Sequence, residues 1–108
     1  MTELTVHSNV CDYIHRVHGK EKGKNVTINI ESSCEKVKNL SGIEVPKMET
    51  FDIRDNYVMK KAQEAGCCAT CIVPSGVIHA CRIESGFMAK SLVKDARNIC
   101  IAFDEDEK

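Results

Sequence analysis

Residues 25–42 read Asn25-Val26-Thr27-Ile28-Asn29-Ile30-Glu31-Ser32-Ser33-Cys34-Glu35-Lys36-Val37-Lys38-Asn39-Leu40-Ser41-Gly42, and the fold turns on where the period of this stretch changes. Val26, Ile28 and Ile30 alternate with Asn25, Thr27, Asn29 and Glu31, the two-residue repeat of a half-buried strand. From Cys34 onward the apolar positions lengthen their spacing to Cys34, Val37 and Leu40, as on one face of a helix. Ser32-Ser33 can cap that helix and Gly42 stops it. A strand therefore hands over to a short helix at a cysteine.

Upstream, Gly19-Lys20-Glu21-Lys22-Gly23-Lys24-Asn25 is a polar, glycine-flanked turn, and Val10–His18 is the strand it joins. Val10, Asp12, Ile14 and Arg16 share one face of that strand; Cys11, Tyr13, His15 and Val17 share the other. Residues 4–8 extend it backwards across a break near Ser8-Asn9. Downstream, residues 43–52 form a connection around Pro46. Asp52 or Asp55 caps a second helix, lined by Val58, Ala62 and Ala65 and ended by Gly66. Pro74 opens a third helix, with Val77, Ile78, Ala80, Cys81 and Ile83 on its apolar side and Gly86 at its close. Phe87–Val93 fits neither period. Ile99, Ile101 and Phe103 alternate again, which predicts a last strand over Asn98–Phe103. The expected architecture is α+β: a small, largely antiparallel sheet, made of an N-terminal hairpin plus a C-terminal strand, with helices packed on one face. The whole of residues 1–108 reads as a single domain with a charged, frayed tail at 104–108.

Composition narrows the function classes. The chain is 43% hydrophobic and 29% charged, enough to build a core and unlike a disordered chain. Its formal net charge is -1, which argues against nucleic-acid or membrane-surface binding through bulk charge. No apolar run reaches the ~20 residues of a membrane span. The start, MTELTVHSNV, lacks the basic and apolar segments of a secretory signal. A cytoplasmic location is expected.

Seven cysteines in 108 residues exceed ordinary usage several-fold. In a reducing compartment such a surplus points to metal binding or redox chemistry before structural disulfides. Cys67, Cys68 and Cys71 form the densest group. Cys68-Ala69-Thr70-Cys71 is a C-x-x-C pair, whose turn can aim two thiolates at one tetrahedral ion, and it sits just before a helix start, where the dipole favours a thiolate. A four-ligand site needs two more donors. In a hairpin the beginning of the first strand lies beside the end of the second, so Cys11 and Cys34 belong at one end of the sheet and are the best candidates. The plain alternative for all five is packing. Cys81, in mid-helix, and Cys100, within the last strand, are expected in the core. His7, His15, His18 and His79 are read as surface imidazoles, and carboxylates such as Glu49 and Asp52 as solvated charge. No phosphate-binding glycine loop or Ser-His-Asp pattern occurs.

The pieces VCDYIHRV, VTINIESSCEKVKNL and CCATCIVPSGVIHACRIESG resemble a family of short uncharacterised proteins of anaerobic bacteria and archaea over roughly residues 6–103. That resemblance implies an architecture and a cysteine set and carries no assigned activity. The chain departs from the family's pattern at Glu35 and Ile72, where prolines often follow the cysteines. It is also similar, more faintly, to the iron–sulfur scaffold domains of the amino-terminal NifU type. Cys11, Cys34 and Cys71 match that family's three cysteines in order of elements, which implies a transient cluster or bound zinc. Here Asp12 follows Cys11 directly, where the scaffold aspartate stands two positions after its cysteine, and those scaffolds end in helix.

Three functions compete. The first is a metal-thiolate protein holding zinc or an iron–sulfur cluster on Cys11, Cys34, Cys71 and Cys67 or Cys68, as a scaffold or carrier rather than an enzyme. The second is thiol–disulfide redox work by Cys68 and Cys71. The third is a partner-binding domain whose cysteines only pack. Protein partners and oligomeric state are left open.

Overall fold

The structure is a computed structural model and describes residues 1–105. Four strands form one sheet in the order β1-β2-β3-β4, with Thr2–Ser8 as β1, Tyr13–Lys22 as β2, Asn25–Glu31 as β3 and Glu44–Pro46 as β4. Every neighbouring pair is antiparallel. Helices follow at Glu35–Lys38 (α1), Tyr57–Ala65 (α2), Val73–Glu84 (α3) and Lys90–Ala96 (α4), with a 3-10 turn at Lys47–Thr50. The α+β class and the antiparallel sheet agree with the sequence. No described helix is long and apolar enough to cross a membrane.

Three strands differ from expectation. The segment read as a connection around Pro46 supplies β4, which pairs with β3 through Asn25–Pro46, Val26–Val45 and Thr27–Glu44. The segment read as a backward extension of the first strand is a strand of its own. The break at Ser8-Asn9 is a reversal, closed by Cys11 N–H to the Ser8 carbonyl and Asp12 N–H to the Asn9 carbonyl, and β1 returns along β2 with Ser8 opposite Tyr13 and Thr2 opposite Gly19. The strand predicted over Asn98–Phe103 does not form. Arg97 takes a positive φ of 69° after α4, and Ile99, Ile101 and Phe103 stay 70%, 79% and 80% exposed. Alternation supplies a strand-forming sequence, but a strand needs a partner edge, and this segment meets none. Cys100 is accordingly exposed rather than in the core. Of the tail expected to fray, residues 106–108 lie outside the described residues.

The alternation of β3 is realised: Val26, Ile28 and Ile30 are buried. The register sets Val17 opposite Ile30 and Gly19 opposite Ile28, so the odd-numbered residues of β2 face the same interior. Helix α3 lies across β1 and β2 and reaches β3, burying Val73, Val77, Ala80 and Cys81. Burial pushes the Cys81 thiol up to about 12, as expected for a core cysteine. At the far end of α3, Glu84 receives the Thr2 hydroxyl at 2.8 Å and the Glu21 N–H at 2.9 Å. Desolvation opposes its ionisation, but these two donors and the amino terminus together hold its carboxyl below the usual range.

Close approach of helix to sheet explains Gly76. A Cβ there would stand 2.7 Å from Val6 Cγ2 and 3.4 Å from Leu4 Cδ1. Val6 is β-branched and buried, so it cannot swing aside cheaply. Helix caps also differ in detail from expectation. Asn56, rather than Asp52 or Asp55, caps α2, its side-chain oxygen accepting from Val58 and Met59 N–H at 3.0 and 3.2 Å. Asn56 stands next to the first helical residue, where a side chain of that length reaches both free N–H groups. Cys34, rather than Ser32 or Ser33, holds the N-cap position of α1, and the Ser32 hydroxyl instead accepts the Cys34 N–H. His15, expected at the surface, is 2% exposed because it shares the inward phase of Val17.

Two measurements check this packing. Gly76→Ala should lower stability by about 1–3 kcal/mol in urea unfolding, the clash outweighing a helix-propensity gain of up to ~1 kcal/mol. Burial lowers the His15 pKa, so the unfolded chain takes up that proton first, near pH 6.5. Stability should therefore fall as pH drops below ~6.5, and His15→Asn should flatten the slope between pH 7 and 5 by up to about 1.4 kcal/mol per pH unit.

Candidate metal-thiolate site

The antiparallel register fixes the first half of the site. Arg16 pairs with Glu31, so the start of β2 and the end of β3 lie side by side. The reversal that carries Cys11 and the exit that carries Cys34 therefore meet at one end of the sheet, as the hairpin argument requires. Cys34 is the residue before α1, and its carbonyl accepts the first helical bond from Lys38 N–H at 2.9 Å.

The second half is set by the link between α2 and α3. Gly66, at φ 86°, ends α2 in the left-handed region. Its N–H bonds to the Gln63 carbonyl at 3.1 Å, and the Cys67 N–H to the Ala62 carbonyl at 3.0 Å. This is the Schellman arrangement, and it turns the residue after the glycine back onto the helix. Cys67 is that residue. The C-x-x-C segment is itself a turn, closed by Cys71 N–H to the Cys68 carbonyl at 3.0 Å, which draws residues 68 and 71 together. Helix α3 starts two residues later with Pro74 in its first turn.

These segments converge. All seven cysteines are free thiols. Cys34, Cys67 and Cys71 are half-buried and pack against the hydrophobic core, while Cys11 and Cys68 are exposed. Burial is the main cause that pushes the Cys67 thiol above its ordinary pKa, and the neighbouring Cys71, Cys34 and Cys68 push it the same way. Burial again dominates in raising Cys71; a hydrogen bond from the Val73 N–H opposes the rise, and Cys34, Cys11 and Cys68 add to it. Each of the five positions singled out in the sequence thus lies within electrostatic reach of at least one other. They do not yet form a cage: among the described residues no three or more His, Cys, Asp and Glu side chains stand in metal-holding geometry.

The role of Lys36 at this site was not legible in the sequence. From α1 its carbonyl accepts the Cys67 thiol at 3.8 Å, and its ammonium stands 3.7 Å from Cys68 Sγ. Its spacing of two residues from Cys34 is the one signal that placed it nearby. Nor was the Ser8 hydroxyl, buried with no hydrogen-bond partner at the strand end that leads to Cys11. The histidines stand apart from direct ligation: His18 contacts Glu31 at 3.1 Å and Glu3 at 3.9 Å on the open sheet face, and His79 donates to the Ser75 carbonyl at 2.7 Å.

No curated protein and no solved structure matches the chain. A family of unknown function, DUF6951, matches residues 2–96, spanning every strand and helix just described. The chain belongs to this family, DUF6951, whose function is unknown.

Proposed function

We propose that this chain is a metal-thiolate protein that holds zinc or an iron–sulfur cluster as a scaffold or carrier, on Cys11, Cys34, Cys67 and Cys71. The observation that carries the reading is the placement of five free thiols on the β1–β2 reversal, the start of α1 and the α2–α3 link, with three of them resting against the core. Soft thiolate donors select zinc and iron–sulfur clusters over hard cations. Cys67 is preferred to Cys68 because it is turned inward onto the core, whereas Cys68 is exposed beside the Lys36 ammonium. Cys34, Cys67 and Cys71 already rest against the core, and an ion would draw these three and Cys11 into one coordination shell.

The raised thiols of Cys67 and Cys71 weigh against the redox reading. A nucleophilic cysteine needs a lowered pKa, and burial acts in the opposite direction here. A metal reverses that balance, because coordination deprotonates the thiol outright.

Purification without oxygen, followed by metal and acid-labile sulfide analysis, tests the proposal. About one zinc or one cluster per chain is expected, with visible absorption separating a coloured cluster from zinc. Reduced thiols with neither metal nor sulfide, and no uptake of added zinc or iron and sulfide, would overturn it. Binding should release protons, and zinc affinity should rise with pH by about tenfold per unit for each thiol deprotonated. A competing chelator titrated at pH 6, 7 and 8 measures that slope. Saturating zinc, at about 1,000 times its dissociation constant, should stabilise the fold by about 4 kcal/mol. Cys67→Ser should weaken zinc binding at least tenfold, and Cys68→Ser should leave it within about threefold of the parent chain; competition titration distinguishes the two.

A further inference from the structure

We infer that Ser32 and His15 are positioning residues of the thiol site, which together hold the Cys34 peptide against the core so that its sulfur faces Cys67 and Cys71. This inference rests on the metal-thiolate reading above. The register that pairs Arg16 with Glu31 sets His15 beside Ser32 one residue further along. His15 Nδ1 and Ser32 Oγ are 2.8 Å apart. The same hydroxyl oxygen accepts the Cys34 N–H at 2.9 Å, a local turn in which a serine side chain takes the place of a backbone acceptor. A continuous chain of hydrogen bonds thus runs from a buried imidazole through one hydroxyl to the peptide of a proposed ligand.

The residue types at these positions need a reason. A 2% exposed side chain between inward-facing Val17 and the strand end would ordinarily be apolar, and an imidazole there costs free energy unless it is paired. Its partner is a hydroxyl whose second bond goes to Cys34. The Cys34 N–H lies before the first turn of α1 and has no helical acceptor of its own. Ser32 supplies that acceptor, and His15 fixes the Ser32 rotamer. Cys34 in turn is the one cysteine that both Cys67 and Cys71 feel from outside their own link. Groups that orient a ligand without touching the metal typically change metal affinity by about 10–100-fold when lost.

Cobalt(II) is the probe, since its visible bands report the number and geometry of thiolate ligands. The full-length reduced chain is titrated with cobalt(II) without oxygen, in parallel with Ser32→Ala, Ser32→Thr, His15→Ala and His15→Asn. Ser32→Ala and His15→Ala should bind about 10–100-fold more weakly and show altered ligand-field bands at saturation. Ser32→Thr keeps the hydroxyl, and His15→Asn keeps a polar group near the Nδ1 position. Both should recover affinity and spectrum, which also guards against a His15→Ala chain that fails to fold. Ser32→Ala with the parent affinity and spectrum would overturn the inference while leaving the metal-thiolate reading intact. So would weakened binding with unchanged bands at saturation in step with lost thermal stability, since that is a structural effect alone. A parent chain that takes up no cobalt would overturn both.

Discussion

Helix α3 has to lie close upon the sheet, and the rest of the molecule is arranged around that constraint. A full side chain at position 76 would collide with Val6, so glycine lets the helix approach to where Val73, Val77, Ala80 and Cys81 can fill the interior. Once docked, the helix is tied at both ends. Glu84 binds Thr2 and the Glu21 backbone at one extremity. At the other, the segment entering the helix carries Cys71 and its neighbours over the place where β1 turns into β2 and β3 leaves the sheet. The same packing that makes the core therefore delivers the late cysteines to the early ones.

The thiol end shows how burial and chemistry pull against each other. Three sulfurs rest on the apolar core, which is comfortable for a thiol and costly for a thiolate. The Val73 N–H eases that cost at Cys71 but does not outweigh it. Without a cation the site favours protonated sulfur; with one, the positive charge replaces the solvent that burial removes. Cys11 and Cys68 remain exposed to solvent.

The sequence made part of this legible. The period change at Cys34 and the clean alternation of Val26, Ile28 and Ile30 marked one strand, and the logic of a hairpin was enough to assign the start of β2 and the end of β3 to the same end of the sheet. Gly66 marked the end of α2 because a left-handed residue there is signalled by glycine itself. The misreadings have physical causes. Asn98–Phe103 has the same alternation as β3, yet alternation records what a strand would bury and not whether an edge waits for it; Thr2–Ser8 holds the place beside β2. Residues 4–8 looked like a continuation because a four-residue reversal at Asn9–Asp12 without glycine or proline gives little sign of itself. His15 was placed outside on residue type, although its phase with Val17 and Gly19 pointed inward. Lys36 and Ser32 act through backbone groups and single contacts, which leave no periodic trace.

The direction of β1 has a practical corollary. Its seven residues run from Thr2, opposite Gly19, to Ser8, opposite Tyr13, a length of about 20 Å at the usual rise per residue. The amino terminus thus emerges at the opposite end of β1 from the reversal that carries Cys11, beside the carboxylate of Glu84. A fluorophore or immobilisation handle attached there stays clear of the β1–β2 reversal, while the same addition within Asn9–Asp12 would stand directly beside Cys11.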